Sequence, residues 1–175
     1  HSTLYINDTS SCTFQKNWSI NKVYGNSLIH KHRVINKNYT EDKDFYSIVA
    51  AHNGYEKKFG YIHKRSIKIS KKKDKIFGHD ELKKTKKYSN LLNYFIRFHV
   101  YPDTKIVKTT AGNSILISLS NGEGWSLLSE SNNFEIEKNI FFGNKSKIMN
   151  NESISLSGKI AEEIVSIKWV IERVN

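Results

Sequence analysis

A chain of 175 residues that is 38% hydrophobic and 12% aromatic can bury a core as one domain and is too apolar to be a disordered polar segment. Its formal charge of +11 favours a polyanionic partner, nucleic acid or acidic polysaccharide, although only four cations are arginine (Arg33, Arg65, Arg97, Arg173) and solvated lysines supply the rest. No apolar run approaches the roughly 18 residues of a membrane span, and the single cysteine, Cys12, excludes an internal disulfide and a cysteine-based zinc cluster.

The chain opens with His1 inside a strand-like stretch, so it is expected to be a segment of a larger protein whose secretion signal would lie upstream. Cys12 is expected to be a small buried hydrophobe. Lys16–Lys22 is irregular, with Trp18 flanked by polar residues, and His30 and His32 read as exposed strand positions beside Lys31 and Arg33. From there period-two alternation dominates: strands are predicted over 45–52, 61–70, 94–100, 114–119 and 164–171, all rich in β-branched and aromatic residues. In the second run Tyr61, His63, Arg65, Ile67 and Ile69 share a face opposite Lys64, Lys68 and Ser70.

Turns are predicted at Lys73-Asp74, Ala111-Gly112-Asn113, Asn121-Gly122-Glu123-Gly124 and Gly143-Asn144-Lys145, with Asn121-Gly122 suited to a tight hairpin. Glu81–Asn90 breaks the alternation and is expected to be an exposed strand connection, and His79-Asp80 a turn or strand end. Trp125 and Trp169 fall in alternating strands and are expected to pack in the core. Strands separated by turns at this spacing, with no linker or internal repeat, predict one all-β domain over residues 1–175, an antiparallel β-sandwich.

Phosphate-cradling loops, nucleophile elbows and His-Glu-x-x-His helices are missing from the sequence. What stands out is His52–Arg65, where two histidines, two tyrosines, two glycines and an arginine fall within fourteen residues. Imidazole, phenol and guanidinium suit β-elimination from a uronic acid: a cation or amide neutralises the carboxylate, a Tyr or His takes the C5 proton, and an acid protonates the leaving oxygen. His52, Tyr55, His63, Arg65, Arg97 and His99 are therefore the candidate substrate-binding residues. Each has a structural alternative. His52 and Tyr55 could cap a loop, His63 and Arg65 could pack across strands or form an ion pair, and Arg97 and His99 could make a polar outer face opposite Ile96, Phe98 and Val100.

Six stretches in order, His52-Asn53-Gly54-Tyr55, His63 with Arg65, Gly78-His79-Asp80, Ile96-Arg97-Phe98-His99, Asn121-Gly122-Glu123-Gly124-Trp125 and Trp169-Val170-Ile171-Glu172-Arg173-Val174, give the chain its family likeness. With His1-Ser2-Thr3-Leu4 at the start, it resembles the C-terminal β-domain of heparinase II/III-like polysaccharide lyases. That resemblance implies an upstream α/α-toroid on the same polypeptide, a substrate cleft between toroid and sandwich, and an acidic, uronate-containing glycan such as a glycosaminoglycan or alginate. It also implies a bacterial, periplasmic or secreted protein whose catalytic residues lie mainly upstream of His1. His1 matches a family histidine that joins a His-x-His motif and an acidic residue on structural zinc. Those partners are absent here, so the isolated segment is expected to bind zinc poorly. A non-catalytic carbohydrate-binding sandwich is the alternative. A nucleic-acid-binding domain fits less well, because no aromatic strand motif of the RNA-binding kind is present.

Overall fold

Alternating side chains place one face of each strand towards a shared core, and pairing of those strands produces two antiparallel layers. The computed structural model describes residues 2–14, 19, 22, 28–30, 32–88, 90–130, 133–144 and 147–174. The smaller layer has the strand order β1 (Leu4–Ile6), β8 (Leu92–His99), β13 (Lys147–Ile160), β12 (Phe134–Asn144). The larger has eight strands in the order β4 (Val34–Glu41), β5 (Phe45–His52), β6 (Tyr61–Ser70), β7 (Lys75–Lys84), β14 (Ile164–Val174), β11 (Gly124–Ser129), β10 (Ser114–Ser118), β9 (Lys105–Lys108). A short ribbon pairs β2 (Thr13–Phe14) with β3 (Leu28–His30), and a single helical turn, α1 (Glu56–Phe59), joins β5 to β6. Among the described residues strand accounts for 66% and helix for 4%, the all-β architecture that the alternation predicts.

The core lies between the layers. From the small sheet come Leu4, Ile6, Leu92, Tyr94, Ile96, Phe98, Ile154 and Leu156; from the large one come Tyr61, Leu82, Ile106, Ile115, Leu127, Ile167 and Trp169. Each aliphatic residue buried here contributes about 1.5–3 kcal/mol. Phe98 meets Trp169 edge to face across the layers at 5.0 Å between centroids. Gly78 pairs with Trp169 in the sheet, and a Cβ there would fall 2.0 Å from the indole, so only glycine leaves room for the ring.

Two local expectations are corrected. Glu81–Lys84 continues β7 because it pairs with Tyr61–Lys64 on one side and Ile164–Ser166 on the other, and that pairing overrides a lysine-rich local sequence. His79 and Asp80 sit mid-strand for the same reason. The turn predicted at Gly143-Asn144-Lys145 falls where the β12–β13 hairpin reverses, with Gly143 still in β12 and Asn144 paired with Lys147. The hairpin at Asn121-Gly122 forms as expected, with Gly122 at φ 88°. Trp18 lies outside the described residues.

Candidate functional site

Hairpin register does most of the assembly. In the β5–β6 hairpin His52 stands directly opposite His63, and in the β6–β7 hairpin Arg65 stands opposite Asp80. Both pairs lie on the face turned towards the other layer. Asp80 is 0% exposed, and its carboxylate is fully engaged. It accepts from His63 Nε2 at 2.6 Å, Arg65 Nε at 2.7 Å, Arg65 Nη2 at 3.0 Å and Trp169 Nε1 at 2.9 Å. The third guanidinium nitrogen of Arg65, Nη1, donates to the Ser2 carbonyl at 2.7 Å. Burial pushes the Asp80 carboxyl up, but the His63 bond and the Arg65 charge outweigh it and hold the group below the ordinary carboxylate range.

One backbone donor fixes the protons along this line. The Gly54 N–H, which can only donate, points at His52 Nδ1 at 3.1 Å, so the His52 proton sits on Nε2. Nε2 lies 3.0 Å from His63 Nδ1, which must accept, leaving the His63 proton on Nε2 to meet Asp80. Both imidazoles are therefore neutral, and a further proton on either would displace a donor already in place. Burial, with smaller electrostatic contributions from the neighbouring His63, His32 and Arg65 side chains, pushes the His52 pKa down to about 4. The result is a saturated network with no base to spare.

The network ends at a groove running past the edge of β1. One part, about 490 Å³, is lined by Thr3, Tyr5, Cys12, His32, Tyr55 and Arg97 among others; a second, about 510 Å³, adds Asn53, Gly54, Lys57 and Lys58 and shares Thr9, Ser10, Ser11 and His32 with the first. Gly54 is needed here too, since a Cβ would come within 2.7 Å of Ser11 and push the groove wall away. Tyr55 packs 5.5 Å from the His52 ring and donates to the Leu4 carbonyl at 2.7 Å. Burial raises its pKa, so it is a neutral phenol. Cys12 corrects its expectation: it is half-buried at the groove, with Sγ 2.9 Å from His32 Nδ1. His32 is exposed but precedes β4, and its ring lies 4.9 Å from that of His52.

The candidate residues thus divide. His52, Tyr55, His63 and Arg65 come together behind the groove, with the Arg65 fork wholly occupied inside the chain. Arg97 reaches the groove from β8, paired to Glu137 at 2.7 Å and 5.0 Å over the Tyr5 ring. His99 lies outside the groove lining and meets Asn139 through Nδ1 at 3.0 Å; burial lowers its pKa. Asp80, Cys12 and His32 are the contributors that sequence reading set aside. His1 lies outside the described residues, and among those described no group of three His, Cys, Asp or Glu is placed to hold a metal ion. Hydroxyls from Thr3, Thr9, Ser10 and Ser11, the His32 imidazole and the cations Lys57, Lys58 and Arg97, set against the carboxylate of Asp8, give the groove hydrogen-bond donors and positive charge that suit a hydroxylated anion.

Comparison with the curated proteins returns no match. Among solved structures the chain is similar to the heparan sulfate lyase HepC from Pedobacter heparinus, with a TM-score of 0.72 and 13% identity over 99% of this chain and 24% of that one. It is similar to heparinase III with a TM-score of 0.66 and 16% identity, over 100% of this chain and 24% of that one. The α-galactosidase AgaB from Geobacillus stearothermophilus shares the fold more distantly, with a TM-score of 0.50 and 9% identity over 96% of this chain and 30% of that one. The chain thus spans about a quarter of the length of the two lyase structures. At such identities these likenesses show the fold, which by itself does not fix a chemistry. The sequence profile described as "Heparinase II/III-like, C-terminal" matches residues 1–170, and by that match the chain belongs to the heparinase II/III-like C-terminal domain family.

Proposed function

We propose that this chain is the sandwich portion of a polysaccharide lyase that cleaves uronate-containing acidic polysaccharide by β-elimination. In this reading the C5 proton leaves to a base, the C4–O bond breaks with its oxygen taking a proton from an acid, a C4–C5 double bond forms, and the reacting side chains come from the part of the enzyme outside residues 1–175. The sandwich contributes a wall for the polyanion. Family membership supports the reaction class, and the observation that carries the binding role is the groove itself, where hydroxyls and cations converge beside a network that has no free base. Zinc belongs, on this reading, to the full-length protein, where His1 supplies one nitrogen of a site needing three or four ligands. Metal content of full-length His1→Ala against the parent tests it.

The binding role is tested in the full-length enzyme with the double substitution Lys57→Ser, Lys58→Ser. Loss of two charges from a binding wall should raise KM for an acidic glycan about tenfold with kcat changed less than twofold, the signature of binding shared by ground and transition states. An unchanged KM would remove the groove from the substrate path. Binding without any ultraviolet-absorbing unsaturated product would favour the non-catalytic carbohydrate-binding reading.

A further inference from the structure

The face of the large sheet turned away from the small one carries a recess of about 580 Å³, a size usual for ligand sites. Register builds it from two neighbouring cross-strand rows. In the first, Lys68 of β6, Phe77 of β7, Val170 of β14 and Leu128 of β11 stand side by side; in the second, Ser66, His79 and Lys168 do so. Alternation turns these side chains away from Asp80, Leu127 and Trp169, which are buried on the core side. Phe77, Val170 and Leu128 form an apolar, half-buried floor. Phe45 meets the Phe77 ring edge to face at 6.1 Å between centroids and holds it in place. Lys68 and Lys168 rise from the strands on either side of β7. Both are exposed, and neither makes an ion pair or a side-chain hydrogen bond among the described residues. His79 is oriented by its contact with Ser166 Oγ at 2.8 Å, and Glu130 sets one carboxylate against the two cations.

We infer that this recess is a second binding site, for an acidic oligosaccharide, sharing no lining residue with the groove beside β1. The choice of an acidic glycan rests on the function proposed above. A pyranose ring has faces of C–H groups and a rim of hydroxyls and anionic substituents. Its C–H face would cover Phe77, Val170 and Leu128 and remove that apolar surface from water. Carboxylates or sulfates on the rim would meet Lys68 and Lys168, and hydroxyls would meet His79, Ser66 and Glu130. A plain aliphatic ligand would leave both lysines unmatched. Duplex nucleic acid, held through its phosphates, would leave the half-buried floor uncovered. Four strands at a spacing of about 4.8 Å give the first row a length of about 14 Å, so the site is extended rather than a single-sugar pocket. A polymer held here stays at high effective concentration beside the groove when it dissociates from it.

Affinity electrophoresis of the full-length protein tests this, in gels containing heparin, alginate, neutral dextran or duplex DNA. The parent carries Lys57→Ser and Lys58→Ser, so that the groove contributes less. Three changes are then compared: Phe77→Ala, the pair Lys68→Ser with Lys168→Ser, and the pair Lys64→Ser with Lys83→Ser. The last removes two charges from the same face outside the recess. The first two should weaken retention on an acidic polysaccharide about fivefold or more, the third less than twofold, and dextran should retain none of them. Heparin and alginate together tell whether sulfate or carboxylate is the favoured group. Phe77→Ala is read only if its melting temperature stays near the parent's; the exposed lysine pair does not depend on that check. Equal losses from the two lysine pairs would overturn the inference, since retention would then follow net charge alone. So would a folded Phe77→Ala with full retention, a parent that neither acidic polysaccharide retains, or a loss on DNA as large as on the glycans. Unsaturated product is assayed on the same samples. Retention that depends on the recess without any product would sink the proposed function alone, and product without such retention would sink this inference alone.

Discussion

At the residue scale, Arg65 decides between a substrate contact and a structural one. All three of its nitrogens are committed, two to Asp80 and one to the Ser2 carbonyl. Lysine would keep the charge but lose the fork. Arg65→Lys should therefore lower stability by about 2 kcal/mol, within the range for weakening a buried pair, and leave specific activity per folded molecule unchanged; melting temperature and turnover of the full-length enzyme check both. Asp80→Ala should cost more, about 3–5 kcal/mol, because it strands a buried guanidinium. The histidines predict a pH dependence. His52 has a folded pKa of about 4, below its unfolded value near 6.5, so the unfolded chain binds the extra proton between those values. Stability from this group is fully present above about pH 6.5 and is lost as pH falls towards 4, by roughly 2 kcal/mol after allowing for the ring's partial solvent screening. Asp80, also depressed, acts in the same direction at lower pH. Denaturation curves for the parent and His52→Gln, whose loss over that window should be smaller, separate the histidine's share.

At the scale of elements, much of this site was legible. A turn at Lys73-Asp74 implies a hairpin between the strands on either side of it, but not the register that sets Arg65 against Asp80. Reading His79-Asp80 as a strand end hid it, because a local sequence rich in lysine gives no sign that two neighbouring strands will extend it. The alternation of Leu92, Tyr94, Ile96 and Phe98 against Asn93, Arg97 and His99 needed no such help. Cys12 and His32 were not legible together: they are twenty residues apart and meet only because the turn at Gly54 admits the ribbon segment so closely. The contact of Gly78 with Trp169 was equally hidden, since it depends on two strands far apart in sequence. Gly78→Ala should destabilise by about 1–3 kcal/mol through overpacking. A second change, Trp169→Leu, should relieve part of that cost, and a coupling energy near zero in the double-mutant cycle would refute direct steric contact.

At the scale of the whole molecule, the reading predicts that residues 1–175 alone yield no unsaturated product from heparin, heparan sulfate or alginate, whereas the full-length enzyme does so on its substrate; the ultraviolet absorbance of the product decides. Activity should also weaken with added salt, as expected when a chain of +11 net charge attracts a polyanion. Strand order has a further consequence, in time. β14 lies between β7 and β11 at the middle of the large sheet, although eighty residues separate the end of β7 at Lys84 from its first residue, Ile164. On a ribosome adding about 5–20 residues per second, β7 waits roughly 4–16 s for that neighbour. Until then one half of the large sheet, β4 to β7, ends in a bare inner edge beside Asp80, Leu82 and Gly78. Such an interval invites mispairing with other nascent chains, so this polypeptide should depend on holding chaperones during synthesis more than a protein whose strands pair in the order they are made.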